Sequence, residues 1–560
     1  MFTHEPWELL ARRRRPSNGL VPSRWYAVIV LIAMLSPAVH AQDDRSAAIP
    51  DDAALEASGA IVGEIAVDNG NVFTAAQTEN RPVRLLADRM HTRTRESVIR
   101  GELLFKEGDR YSRRLVGESE RLLRKKPYLF DASIVKVAYH GGRIDLKVAT
   151  HDAWTLFPSF NLSRSGGSNS SGAGIQDLNL LGSGAALGIN RTRDVDRTET
   201  QLNAADSNIA GSHVLGSAAY SDNSDGTSRS FDLERPFYAL DARWSAGTDA
   251  SAHTRTDSLY DRGAIIDQFR EHARSFQAYG GWSAGLRDGW VERFTLGIAS
   301  NDTRFENAPR AIGPSLLPSQ RKLVYPWLRF DLLQDSYITL RNHDQMGRTE
   351  DFHLGTRVST QVGFAEPAFG SDRHALMVVG SASYGAQPIP SETILLSTSF
   401  SGRLENGSLR NGVFDTSVYW YLEESRHWLS YASAGETVGH DLDLDNQILL
   451  GGDSGLRGYP LRYQDGTSRL LLTLEQRYFS DLYLLRTLRL GGAVFADSGR
   501  VRGTPPLAAP NLDFLSDVGL GLRLGSSVFS NVTHIDLAFP LKGPASIAKV
   551  QLLIQVEARL

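Results

Sequence analysis

From Trp154 onward helical periodicity gives way to period-two alternation, interrupted by turn-rich stretches such as SRSGGSNSSG and SDNSDGTS. Neighbouring strand residues point to opposite faces, so each alternating run has one apolar and one polar side. In 238–246 the even positions are Tyr238, Leu240, Ala242, Trp244 and Ala246, with Asp241, Arg243 and Ser245 between them. In 517–525 Val518, Leu520, Leu522 and Leu524 alternate with Asp517, Gly519, Gly521, Arg523 and Gly525. The final run sets Val550, Leu552, Ile554, Val556, Ala558 and Leu560 against Gln551, Gln555, Glu557 and Arg559.

A soluble sandwich alternates in the same way, so parity alone leaves two architectures open. Three features favour lipid. The chain ends on a strand, and Trp282, Trp290, Trp327, Trp420 and Trp428 recur near strand ends as interfacial girdles require. The polar face carries charges and glycines, as lumens do. Hydrophobic residues make up 41% of the chain, and no run of about 18 uncharged apolar residues follows the first fifty, which excludes a helical bundle in a bilayer. A β-barrel averages to ordinary hydropathy and fits the mean of −0.26. The 407 residues from Trp154 on, at roughly 25 per strand and connection, predict about 16 antiparallel strands.

The first 41 residues read as a secretory signal peptide: Arg12 to Arg15 and Arg24, an apolar run from Trp25 to Leu35, then Val39-His40-Ala41. Residues 42–59 are polar, acidic and alanine-rich and are expected to form a flexible lead. There are no cysteines, and the net charge of −4 offers nothing to nucleic acid.

Residues 60–152 form a separate module. A strand from Gly63 to Phe73 precedes a stretch, 85–91, leading into a helix that Thr94 can cap and that presents Val98, Ile99 and Leu103. After the turn Lys106-Glu107-Gly108-Asp109, Ser112 can cap a second helix with Leu115, Val116, Ser119, Leu122 and Leu123 on one stripe before Pro127. Two β-branched runs, 134–139 and 144–148, are joined by His140-Gly141-Gly142-Arg143 as a hairpin. The order strand, helix, helix, strand, strand, with KEGDRYS and LLRKKPYLFDASI at its junctions, resembles a POTRA domain. That resemblance implies a periplasmic module pairing extended clients with a sheet edge. Val135, Val137, Ile144, Leu146 and Val148 are the client-binding candidates.

Two segments of the larger region are more specific than alternation. LGGDSGLRGYP at 450–460 and AVFADSGRV at 493–501 resemble the paired motifs of the bacterial surface antigen superfamily, whose members include BamA, TamA and FhaC. The resemblance implies that Leu456, Arg457, Gly458 and Tyr459 sit at the tip of an extracellular loop folded into the lumen. Asp497, with Gly499, would receive that tip. Parity places Leu488, Leu490, Val494 and Ala496 toward lipid and Arg489 and Asp497 inside, and an arginine–carboxylate contact in a partly desolvated lumen would pin the loop. Residues 175–184, IQDLNLLGSG, and Glu234-Arg235-Pro236-Phe237 resemble two further family segments. Against the family's pattern stand a single POTRA-like domain and a terminal Leu560 where an aromatic residue is usual.

No catalytic chemistry is legible. Gly452-Asp453-Ser454-Gly455 looks like a protease nucleophile segment, but Leu456-Arg457 breaks the pattern and no histidine-bearing motif stands upstream. The 14 histidines are scattered without H-E-x-x-H, and no G-x-S-x-G, phosphate loop, metal or cofactor site is expected. The expectation is therefore an all-β transmembrane barrel in the bacterial outer membrane, residues 153–560, behind one small periplasmic α+β domain. By the same resemblance it inserts or translocates unfolded outer-membrane or secreted polypeptides, with outer-membrane lipid and accessory periplasmic proteins as further partners and no nucleic acid. An exporter of one secreted substrate and a passive pore with a plugging loop are the alternatives.

Overall fold

The structure, a computed structural model, describes residues 49–73, 91–309, 313, 315–484, 488–503, 513–526 and 531–558. The signal peptide, residues 42–48 of the lead and residues 85–90 lie outside the described residues.

The N-terminal module contains helix α1 (Asp52–Ser58), strand β1 (Ile61–Gly70), helices α2 (Glu96–Arg100) and α3 (Arg113–Arg124), and strands β2 (Leu129–His140) and β3 (Arg143–Asp152). The sheet order is β1-β3-β2, with β1 parallel and β2 antiparallel to β3. Helix α3 starts at Ser112, whose hydroxyl accepts the Leu115 amide, and buries Val116, Ser119 and Leu123 against the sheet. Two expectations change here. Residues 52–58 of the supposed lead are helical, because Asp51 caps them through the Ala54 amide at 2.8 Å and Leu55 is fully buried in the module's core. Thr94 caps no helix: its amide and hydroxyl both donate to Asp152, at 2.8 and 2.9 Å, and the capping position of α2 is Arg95, which makes no side-chain cap.

The remaining strands close into one barrel of 20. The expected count of about 16 is too low because several hairpin turns are tight. Ser165 pairs with Ser168, Asn223 with Gly226 and Arg287 with Trp290, so each strand with its connection takes fewer residues than assumed. The first six strands, from Leu156–Ser165 to Gly226–Arg235, have nine or ten residues, whereas Ala264–Arg287 has 24. Parity holds in the wall. Val518, Leu520 and Leu522 are exposed outward while Asp517 and Arg523 are buried inside, and Val494 faces out while Arg489 and Asp497 face in. An apolar outer band on a closed barrel is the condition for spanning a bilayer with strands.

Two runs depart from the parity reading. Residues 236–243 form a connection, not a strand; Pro236 lacks the amide a ladder needs, and Leu240 packs on Val291 and Leu333. Trp327 is no girdle residue: it is 2% exposed, inside the barrel, against a wall opened for it by Gly297.

The module covers one mouth of the barrel. The turns after the second and fourth barrel strands are near copies, Asn179-Leu180-Leu181-Gly182-Ser183 and Asn208-Ile209-Ala210-Gly211-Ser212, each a 3-10 turn with a left-handed residue at its centre. Asn179 and Asn208 close them by accepting the amides of Gly184 and His213. Both dock on the module. Asn179 donates to the Thr94 hydroxyl at 2.8 Å, Gly182 accepts the Arg95 amide at 3.0 Å, and Asn208 donates to Glu102 at 2.9 Å. Gly182 is required at its position, since a Cβ there would lie 2.3 Å from the Arg93 carbonyl oxygen. In the connection 236–243, the Leu240 amide donates to Glu118 of α3 at 2.7 Å.

Candidate functional site: a pinned loop, an inserted hairpin and a seam

The connection 441–467 joins strands Trp428–His440 and Ser468–Leu484 at the mouth opposite the module and folds back into the lumen. Arg457 is its deepest polar residue. Its Nε and one terminal nitrogen bind both oxygens of Asp497, at 2.7 and 3.0 Å. The other terminal nitrogen reaches Glu475 at 2.7 Å and Asp536 at 3.2 Å, and the guanidinium lies 3.4 Å from the Phe495 ring centroid. One cation thus serves three lumen carboxylates, all nearly excluded from solvent. Arg523 adds a second cation on Asp536.

The neighbours of Arg457 explain why this tetrapeptide suits the place. The Gly458 amide donates to Asp517 at 3.0 Å, and a Cβ on Gly458 would lie 2.6 Å from that of Asp517. The Tyr459 hydroxyl lies 2.9 Å from the carbonyl oxygens of Ser516 and Lys542 and shares its one proton between them. Leu456 and Tyr459 are fully buried with Leu450, Val501, Leu515 and Ile547. Gly499 takes no polar part; it faces Leu450, whose methyl group would lie 3.1 Å from an added Cβ.

A second segment enters from the module's mouth, and nothing in the sequence pattern announced it. Between barrel strands Arg321–Gln334 and Gly355–Ala365 the chain makes a hairpin, strands Tyr337–Arg341 and Thr349–His353. Its tip is held by lumen side chains. Arg489 donates to Asn342 at 2.9 Å, Arg477 to the His343 carbonyl at 2.7 Å and the Tyr421 hydroxyl to Asp344 at 3.0 Å. Met346 packs with Tyr421, Leu429, Phe479 and Val532. Glu350 closes the tip by accepting the amides of His343, Asp344 and Gln345 at 2.9, 3.0 and 3.2 Å. Burial pushes its carboxyl up to about 7 despite those three donors. The outer side of the hairpin grips the module. Asp351 accepts from Arg124 Nε and one terminal nitrogen at 2.7 and 2.6 Å, Arg348 donates to the Arg124 carbonyl at 2.7 Å and Thr349 to Asp131 at 3.2 Å.

Glu475 joins the two intrusions. One of its oxygens accepts Arg457 of the loop, and the other accepts Nε of Arg477 at 2.7 Å, one of whose terminal nitrogens holds the hairpin.

The client-binding candidates divide. Val135 and Val137 are 47% and 54% exposed on β2, an outer strand of the sheet. Ile144, Leu146 and Val148 are 0–1% exposed and belong to the core, because β3 lies between β1 and β2 and turns these side chains under the helices. These three are structural residues of the core, not client contacts.

One junction of the barrel wall differs from the others. The first strand, Leu156–Ser165, and the last, Gln551–Ala558, share a single paired position, Arg164 opposite Ile554. Each is paired along its length with its other neighbour. Below Arg164 the facing backbones have no ladder partner among the described residues. No cluster of metal-ligating side chains occurs among the described residues.

No family model and no curated protein matches the chain. Among solved structures it is similar to BamA from Haemophilus ducreyi lacking POTRA domains 1–3, at 14% identity and a TM-score of 0.37 over 88% of this chain and 84% of that one. CdiB from Acinetobacter baumannii matches at 13% and 0.42, over 89% and 73% of the two chains. CdiB from Escherichia coli matches at 12% and 0.46, over 89% and 76%. Likenesses at these identities carry no statement about activity.

Proposed function

We propose that this chain is a bacterial outer-membrane barrel that inserts or translocates client polypeptides and carries out no catalysis. The observation that supports this best is the seam. Unpaired backbone groups in a hydrocarbon layer cost several kcal/mol each, so a wall paired at one position favours a partner that can complete the ladder. An extended client strand is such a partner and needs no particular side-chain sequence. The short first six strands put the thinnest stretch of apolar wall beside that seam.

In this reading the module over the near mouth is a POTRA-like domain in the periplasm, and its outer strand β2, with Val135 and Val137, meets unfolded outer-membrane or secreted clients first. The loop carrying Arg457 and the hairpin carrying Asp351 then fill the resting lumen and keep it from leaking. Pairing and folding of the client drive the process, with no cofactor and no nucleotide.

Photocrosslinking in cells from a residue at Val137, with Ile144 as the buried control, tests this. Polypeptide adducts from Val137 alone are expected. Absence of any client adduct from Val137, with the barrel correctly inserted, would sink the proposal.

A further inference from the structure

The seam is weak along its wall but bridged at its far end. On the first-strand side, Ser165 donates to the Gly452 carbonyl at 2.6 Å. Gly166, at φ +54°, lies so close to the loop that a Cβ there would sit 2.4 Å from the Leu461 nitrogen and 2.8 Å from the Pro460 carbonyl carbon. Conversely, a Cβ on Gly452 would lie 2.7 Å from the Gly166 Cα. On the last-strand side the same loop is anchored by the Tyr459 hydroxyl to the Lys542 carbonyl and by packing of Leu456 and Tyr459 with Ile547. Lys542 and Ile547 belong to the connection that leads into the last strand. One short stretch of loop therefore touches both flanks of a junction whose own ladder has one rung.

We infer that residues 451–461 are a clasp across the seam: the far end of the junction between the first and last strands opens only when this stretch lifts from Ser165 and Gly166. Plugging the lumen requires only the contacts around Arg457. The contacts at Ser165 and Gly166 add nothing to a plug, yet they tie the loop to the strand that the last strand pairs with at one position only. The inference deepens the proposed use of the seam, but the distance across the seam can be measured without any client.

Because the chain has no cysteine, spin labels can be placed at Leu162→Cys and Val556→Cys alone. Both positions are exposed, and they face each other if the Arg164–Ile554 register is continued. Pulsed electron resonance should give one short distance in the parent protein. Gly166→Ala, which forces the loop back, should move the distribution outward by about one strand spacing, ~4.8 Å. Gly407→Ala is the control, since Gly407 has positive φ in another far-mouth hairpin and open space around it. An unchanged distance in Gly166→Ala, or an equal shift in Gly407→Ala, overturns the clasp. Where Gly166→Ala does not fold, Ser165→Ala decides, a broadened distribution supporting the clasp and an unchanged one overturning it. A seam that responds while Val137 gives no client adduct upholds the clasp and removes the proposed function.

Discussion

Two segments enter the lumen from opposite mouths, and they are held by different chemistry. The loop's tip sets one guanidinium among Asp497, Glu475 and Asp536, while its stem is held by Arg403 on Asp443, Arg321 on Asp445 and Arg462 on Asp196. The hairpin is held by single bonds from Arg489, Arg477 and Tyr421, by Met346 in an apolar nest and by the module on its outer side. Removing the tip cation leaves Asp497 without a charged partner in a dry site, while Glu475 keeps Arg477 and Asp536 keeps Arg523. Distributed contacts lose about 1 kcal/mol at a time. The tip of the loop thus hangs on one cation, whereas the tip of the hairpin is held by separate bonds.

Arg457→Ala should separate the two most sharply. Leaving buried Asp497 without its cation should cost about 3–5 kcal/mol. In detergent this should read as a lower melting temperature and as protease nicking within 441–467, with the hairpin still protected. Equal protection of the loop in variant and parent would dissolve the contrast.

The next effect concerns pH. Glu350 has a folded value of about 7 against an ordinary 4.5, so the neutral acid is the form favoured by docking. Hairpin docking is therefore strongest below pH 4.5 and weakens as pH rises through about 7, by roughly 3 kcal/mol at most. Hydrogen exchange at 337–353 should increase over that window, and Glu350→Gln should flatten the dependence.

Glu475→Gln probes the point where the two segments meet. It weakens the bonds to both Arg457 and Arg477 while Arg457 keeps its two bonds to Asp497, so a loss of about 1–2 kcal/mol is expected. Exchange should rise in the loop and the hairpin together; a rise in the loop alone would show that Glu475 does not join them. Smallest of all, Tyr421→Phe removes one hydroxyl bond to Asp344, worth about 1 kcal/mol, and should speed exchange only in the hairpin.

The same contrast shows what could be read from the sequence. Arg457 and Asp497 were visible because a motif and strand parity agreed on them. Parity also placed Arg489 inside, but a period of two gives a face and not a partner, so Asn342 could not be named. The hairpin was invisible because Thr349–His353 is five residues of mixed polarity packed on one side by an arginine-rich wall. Its apolar anchor, Met346, lies at a turn where no period exists. A signal was present for the module's docking, since Asn-x-x-Gly-Ser recurs at 179–183 and 208–212. Trp327 was misplaced because an aromatic residue reads alike at an interface and against a glycine inside a lumen. Ile144, Leu146 and Val148 of β3 look like edge residues by pattern alone because strand order is a tertiary fact.

The central claim is that this barrel acts on polypeptides. The most direct test reconstitutes the purified chain into lipid vesicles and follows an unfolded outer-membrane polypeptide as it becomes protease-resistant. The account predicts faster acquisition of resistance than in empty vesicles, with the gain lost when the first and last strands are cross-linked. Equal rates with and without the protein, together with a large steady ionic current through it, would contradict the account and leave a pore.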